Sequence, residues 1–156
     1  IEIKDASFVI MGPAALGMVL GAAAIGNFGK NFSKAKLVNL GIILAGVFLI
    51  FLSALVRYTH LWLAVVSLLF LGAANSLIDV PSNTNLQEKA PEKLRGRVYG
   101  ILTSLVGGAA ILPVAMVGFA ADFFGVGKVI FSLAIVILAF GVYRVIKRRY
   151  NGILSS

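Results

Sequence analysis

The chain has 156 residues, 60% of them hydrophobic and only 13% charged, with a mean hydropathy of +0.99 and a formal net charge of +8. That apolar share lies well beyond what soluble domains carry and excludes an ordinary water-soluble globular fold. The absence of cysteine excludes disulfides, thiolate catalysis and cysteine metal sites.

The few charges fall in short clusters, separated by apolar stretches near ~20 residues, the length that crosses ~30 Å of hydrocarbon at ~1.5 Å per residue. The first stretch covers residues 6–25 and is followed by the glycine- and lysine-bearing turn from Gly26 to Lys34. The second covers 37–56 and ends at Arg57, Tyr58, Thr59 and His60. The third begins at Leu61 and Trp62, stays apolar to Ala74, then turns polar over 61–80 and continues to about 88. After the charged loop from Glu88 to Arg97, the fourth covers 98–121. The fifth covers 126–143, with Lys128 at its start able to snorkel to the interface, and precedes a basic tail over 144–156. The expected fold class is all-α, a polytopic transmembrane bundle of five spans occupying residues 1–156.

Five spans place the termini on opposite sides, and the basic residues test that count independently. One side receives eleven: Lys30, Lys34 and Lys36, then Lys89, Lys93, Arg95 and Arg97, then Arg144, Lys147, Arg148 and Arg149. The other receives three: Lys4, Arg57 and Lys128. Missing or inventing one helix would scramble every later loop, so the division supports five spans and predicts a cytoplasmic C-terminus. Tyr58 and Trp62 then fall at the outer interface, and Tyr99, Tyr143 and Tyr150 toward the inner one. The net charge reflects this topology and contact with anionic lipid heads, and no nucleic-acid partner is expected.

Few residues suggest chemistry. His60 sits in a short turn with no second ligand nearby, which reads as a solvated loop histidine. Gly107 and Gly108 follow no strand, so they read as helix packing, not as a phosphate loop. Neither a catalytic set, a metal site nor a cofactor is expected. Gly17 and Gly21 form a small-xxx-small pair, continued by Ala22, Ala23 and Ala24, and predict close helix packing in span one. Pro13, Pro81 and Pro113 lie inside spans, where each removes a backbone donor and predicts a bend. Asn39, Ser53, Thr103 and Ser104 read as cross-helix or own-turn hydrogen bonders.

Span three carries the strongest functional signal. At about 100° per residue, Asn75, Ser76, Asp79, Ser82 and Asn83 share one face, which Gln87 extends. The apolar run from Leu61 to Ala74 is too short to cross alone, so part of this stripe must lie at membrane depth. A carboxylate there costs about 2.5–3.5 kcal/mol on insertion scales and should face protein or water. Asn75, Asp79 and Asn83 are therefore candidates to line a substrate or proton cavity, with Asp79 taking up a coupling proton or contacting a cationic substrate. The competing reading places Asp79 at the cytoplasmic mouth, bonded to Asn83 or to a loop arginine, bracing the helix.

Ile1 is not an initiator, and Ile1 to Asp5 looks like an outer loop entered from an earlier helix, so a fragment lacking upstream helices is expected. The run from Gly72 to Glu88, with Pro81-Ser82-Asn83-Thr84-Asn85-Leu86-Gln87-Glu88 at its end, then Pro91 and Arg95-Gly96-Arg97-Val98, resembles the tenth helix, following loop and eleventh helix of the major facilitator superfamily. The turn after span one is similar to that family's Gly-x-x-x-Asp-Arg-x-Gly-Arg-Arg signature only in part. Gly21 stands for the first glycine, Ile25 and Gly26 replace the Asp and Arg, and Gly29, Lys30 and Lys34 form a basic remainder.

The resemblance implies the eighth to twelfth helices of a twelve-helix fold, with the N-terminal half missing, and a bacterial exporter of the macrolide or siderophore type in the plasma membrane. It further implies a secondary active transporter of an unknown small molecule working by alternating access, with proton coupling one option. A transport-inactive scaffold or sensor with the same fold is the alternative, and an enzyme is not expected. Arg95, Arg97, Lys30 and Lys34 would then serve as topology anchors or as a cytoplasmic latch closing on the missing half. A reporter domain fused after Ser156 should be active only if it is of the kind that works in the cytoplasm. Activity of a reporter that needs the outer side would overturn the topology.

Overall fold

The computed structural model describes residues 3–29, 32–55, 61–89 and 91–154. Five long helices account for nearly all of them: α1 (Ile3–Phe28), α2 (Lys34–Leu55), α3 (Leu61–Lys89), α4 (Arg95–Phe124) and α5 (Val126–Leu154), with a 3-10 turn over Glu92–Leu94 before α4. No strand is present among the described residues. Four helices, α2 to α5, hold an apolar stretch long enough to cross a membrane; in α1 the described side chains give a shorter one, Met11–Asn27.

The helices outlast the spans that hydropathy marks. The 30 residues of α4 make a rod of about 45 Å against ~30 Å of hydrocarbon. A helix satisfies its own backbone, so it need not stop where lipid stops. The basic tail is accordingly a helical continuation of α5 as far as Leu154. Pro13, Pro81 and Pro113 each lie inside a helix that runs on past them.

α3 is central. It packs on α1 along one side and on α2 along another; α2 in turn packs on α5, while α4 touches α5 lightly and has no buried residue. The contact order is thus α1, α3, α2, α5, α4.

Glycine makes the two α3 contacts possible. A Cβ on Gly17 would collide with the Leu69 carbonyl, and one on Gly72 with the Ala14 carbonyl, so the backbones of α1 and α3 touch directly at two reciprocal points. Gly21 lies against the Ala73 backbone, and Gly41 of α2 against the Ala74 carbonyl with Leu77 and Ile78 alongside. Lipid tails offer no hydrophobic drive between helices, so such close packing supplies the association energy. The Gly17 and Gly21 pair therefore packs as its spacing predicts. Ala22, Ala23 and Ala24 do not continue it: all three are exposed, Ala22 and Ala23 because they lie on other faces of the helix than Gly17 and Gly21, and Ala24 although it shares that face.

Side chains tie the layers further. The Ser76 hydroxyl, only 4% exposed, donates to the Met18 carbonyl at 2.6 Å, joining α3 to α1. The Ser53 hydroxyl donates to the Gly127 carbonyl at 2.9 Å, joining α2 to α5. Phe48 of α2 stacks on Phe70 of α3, with centroids 4.5 Å apart. Thr103 bonds back to its own turn at Tyr99, and Asn39 is buried on α2, its Oδ1 without a partner among the described residues.

Replacing Gly72 by valine should cost about 3 kcal/mol or more, since a carbonyl cannot move aside as a flexible side chain can. Gly107→Ala, where nothing lies within 4 Å, should be neutral or stabilising. Thermal unfolding of the detergent-solubilised protein separates the two.

Candidate functional site

Because α1 and α2 grip α3 from two sides, two of its faces stay open, and they differ. Taking Asn75 as the origin at about 100° per residue, Asp79 lies about 40° away and Ser82 about 20° the other way. Val66 lies about 180° away, with Trp62 and Phe70 within about 40° of it. Asn75, Asp79 and Ser82 are all exposed, as are Trp62, Val66 and Phe70. One open face is thus aromatic and aliphatic, suited to lipid. The opposite one carries an amide, a carboxylate and a hydroxyl.

Contacts with neighbours fix the level of this polar face along the bundle. α2 and α3 run antiparallel: Phe48 meets Phe70, Gly41 meets Ala74, Leu77 and Ile78, and Lys34 pairs with Glu88. The middle of α2 therefore stands level with the region of Gly72. Asp79, seven residues further, lies about 10 Å from that level toward the basic end, and Asn75 about 5 Å, both inside a hydrocarbon half-thickness of about 15 Å.

Asp79 forms no hydrogen bond or ion pair among the described residues. The bracing contacts considered for it, to Asn83 or to a loop arginine, are not made. Ser82 turns its hydroxyl back onto the Ile78 carbonyl at 2.5 Å, and Thr84 does the same to Val80 at 2.8 Å. The stripe is narrower than its periodicity suggests. Ser76 leaves it, turned instead into the α1 contact, and Asn83 stands about 80° from Asn75, exposed, with its carbonyl accepting from the Tyr99 hydroxyl at 3.2 Å.

The basic residues gather at the end beyond Asp79. Lys34 pairs with Glu88, linking the start of α2 to the end of α3 within the bundle, a partner that sequence spacing does not reveal across 54 positions. Arg95 stands 3.8 Å from Glu92 one turn back, and Arg97 is exposed. Lys147 lies 5.8 Å from the Tyr143 ring and Arg144 6.0 Å from the Phe140 ring. Lys30, Arg57, Tyr58 and His60 lie outside the described residues. No group of three metal-ligating side chains occurs among the described residues.

The array of apolar helices carries one exposed polar strip on α3, and comparison with known families places the chain. The family model of the Major Facilitator Superfamily matches residues 3–153. The chain belongs to this superfamily of membrane transporters. No curated protein and no solved structure matches it. Membership of the superfamily makes the chain an integral membrane protein whose helices lie in a lipid bilayer, and its family is one of transporters rather than enzymes.

The protein lacks cysteine, so single cysteines report cleanly. Asn75→Cys and Ser82→Cys should react with a membrane-impermeant maleimide at least tenfold faster than Val66→Cys. Equal rates at the three positions would mean that the polar face is not water-accessible.

Proposed function

We propose that these five helices form most of the C-terminal bundle of a secondary active transporter, and that the open polar face of α3 lines its solute path. The observation carrying this reading is the contrast between the two open faces of α3. A face bearing Asn75 and Asp79 cannot rest on lipid without a cost of about 2.5–3.5 kcal/mol for the carboxylate alone. Water and a second helical bundle of the same transporter remove that cost.

In this reading the two bundles rock about the path, exposing it to each side in turn. Asp79, about 10 Å from mid-depth and without a hydrogen-bond or ion-pair partner among the described residues, would exchange a proton with the basic end or hold a cationic solute. Asn75 and Asn83 supply neutral hydrogen-bonding groups on either side. The basic end faces the cytoplasm, as the distribution of lysine and arginine favours. Arg97, exposed at the same end, would close against acidic groups of the second bundle, whereas Arg95 stands beside Glu92 and Lys34 braces α2 against α3 through Glu88. The Pro81-to-Glu88 run and the Arg95-Gly96-Arg97 loop support export of small molecules of the macrolide or siderophore class from a bacterial cytoplasm. A scaffold or sensor with the same fold would differ by having this face packed shut.

Transport by the intact protein decides the matter. Asp79→Asn should abolish proton-driven accumulation and flatten its pH dependence, while solute exchange down a gradient persists and so reports a folded carrier. Accumulation at the original rate across pH would remove Asp79 from the mechanism.

A further inference from the structure

The end of the bundle opposite the basic cluster holds a groove apart from the polar face of α3. It has a volume of about 590 Å3 and lies where α2 ends and α5 begins. Its walls are Ile50 and Ala54 of α2, Phe124 at the end of α4, and Val126 and Phe131 of α5; among the described residues Lys128 is its one charged lining residue. The groove arises from the chain reversal at Gly125, whose φ of 87° turns α4 into α5 in one residue. Close packing of α2 on α5 then leaves the lightly held α4 standing off at this corner.

The floor is chemically closed. The Ser53 hydroxyl and the Gly127 carbonyl bond to each other at 2.9 Å, which leaves Lys128, among the described residues, as the group able to hold a polar ligand. Lys128 is exposed and forms no ion pair among the described residues. Ile50 and Phe131 lie five residues inside the ends of their helices, about 8 Å deeper at ~1.5 Å per residue. The groove therefore runs from the membrane surface inward, with a cation near its mouth and apolar walls below.

We propose that this groove binds one anionic phospholipid, its phosphate on Lys128 and the upper part of an acyl chain along Phe131, Phe124 and Ile50. Water is disfavoured by the apolar walls. A zwitterionic lipid brings its own cation to the lysine, whereas a phosphodiester with an uncharged polyol head leaves its negative charge for it. An interfacial lysine is worth about 1 kcal/mol toward an anionic lipid, which corresponds to roughly a fivefold preference.

The single tryptophan, Trp62, makes the test direct. In the Trp62→Phe background, Phe131→Trp sets a reporter in the groove, and Val126→Trp provides a second. The intact protein is reconstituted in phosphatidylcholine vesicles containing brominated phosphatidylglycerol or, in parallel, brominated phosphatidylcholine. Phosphatidylglycerol should quench the introduced tryptophan at roughly one-fifth of the mole fraction that phosphatidylcholine requires. Lys128→Gln should abolish this preference, and Lys128→Arg and Lys147→Gln should keep it. Equal quenching by the two lipids at both reporter positions, or a preference that survives Lys128→Gln, would overturn the proposal.

Discussion

The structure depends on backbone touching backbone at α3. Gly17 and Gly72 bring α1 and α3 together at two points, and Gly41 brings α2 against the other side. In water, helices associate by hiding apolar side chains. In lipid that gain is absent, and what holds helices together is the number of atoms within dispersion range and the hydrogen bonds they share. Removing Cβ at the crossing points raises the first, and the Ser76 to Met18 bond supplies the second. Everything functional follows from the same grip, since it decides which parts of α3 remain uncovered.

The grip also fixes which strips of α3 stay uncovered. α3 carries Asn75, Asp79 and Ser82 along one open strip and Trp62, Val66 and Phe70 along the other. Were α3 covered on one side only, a rotation of some tens of degrees would exchange the surroundings of the two strips. Held from two sides, it has no such freedom, and its orientation is set by glycine positions that lie on faces other than the polar one.

Much of this was legible in the sequence. Hydropathy and the clustering of charge mark five helices and their order, because insertion into lipid is decided segment by segment. Periodicity finds the polar strip of span three for the same reason that it finds any helix face. The partition within that strip was not legible. Ser76 and Asn75 are adjacent and chemically alike, yet one is buried against α1 and the other is open, and this depends on where α1 crosses. The Lys34 to Glu88 pair and the Ser53 to Gly127 bond were hidden likewise, since nothing local relates residues 54 and 74 positions apart. The extension of α5 as helix to Leu154 is not legible in hydropathy, which reports where lipid ends, whereas the helix ends where its own hydrogen bonding fails.

α4 is the odd member: apolar enough to cross a membrane, yet without a buried residue. Insertion and assembly are separate steps for a membrane helix, and α4 satisfies the first entirely by its own composition. The second it leaves to others. A helix of this kind is a boarding passenger: the bilayer accepts it before any neighbour has recognised it. Its final position then depends on which surface arrives, so defects there should surface in quality control as misassembly of protein already inserted, not as failure to insert.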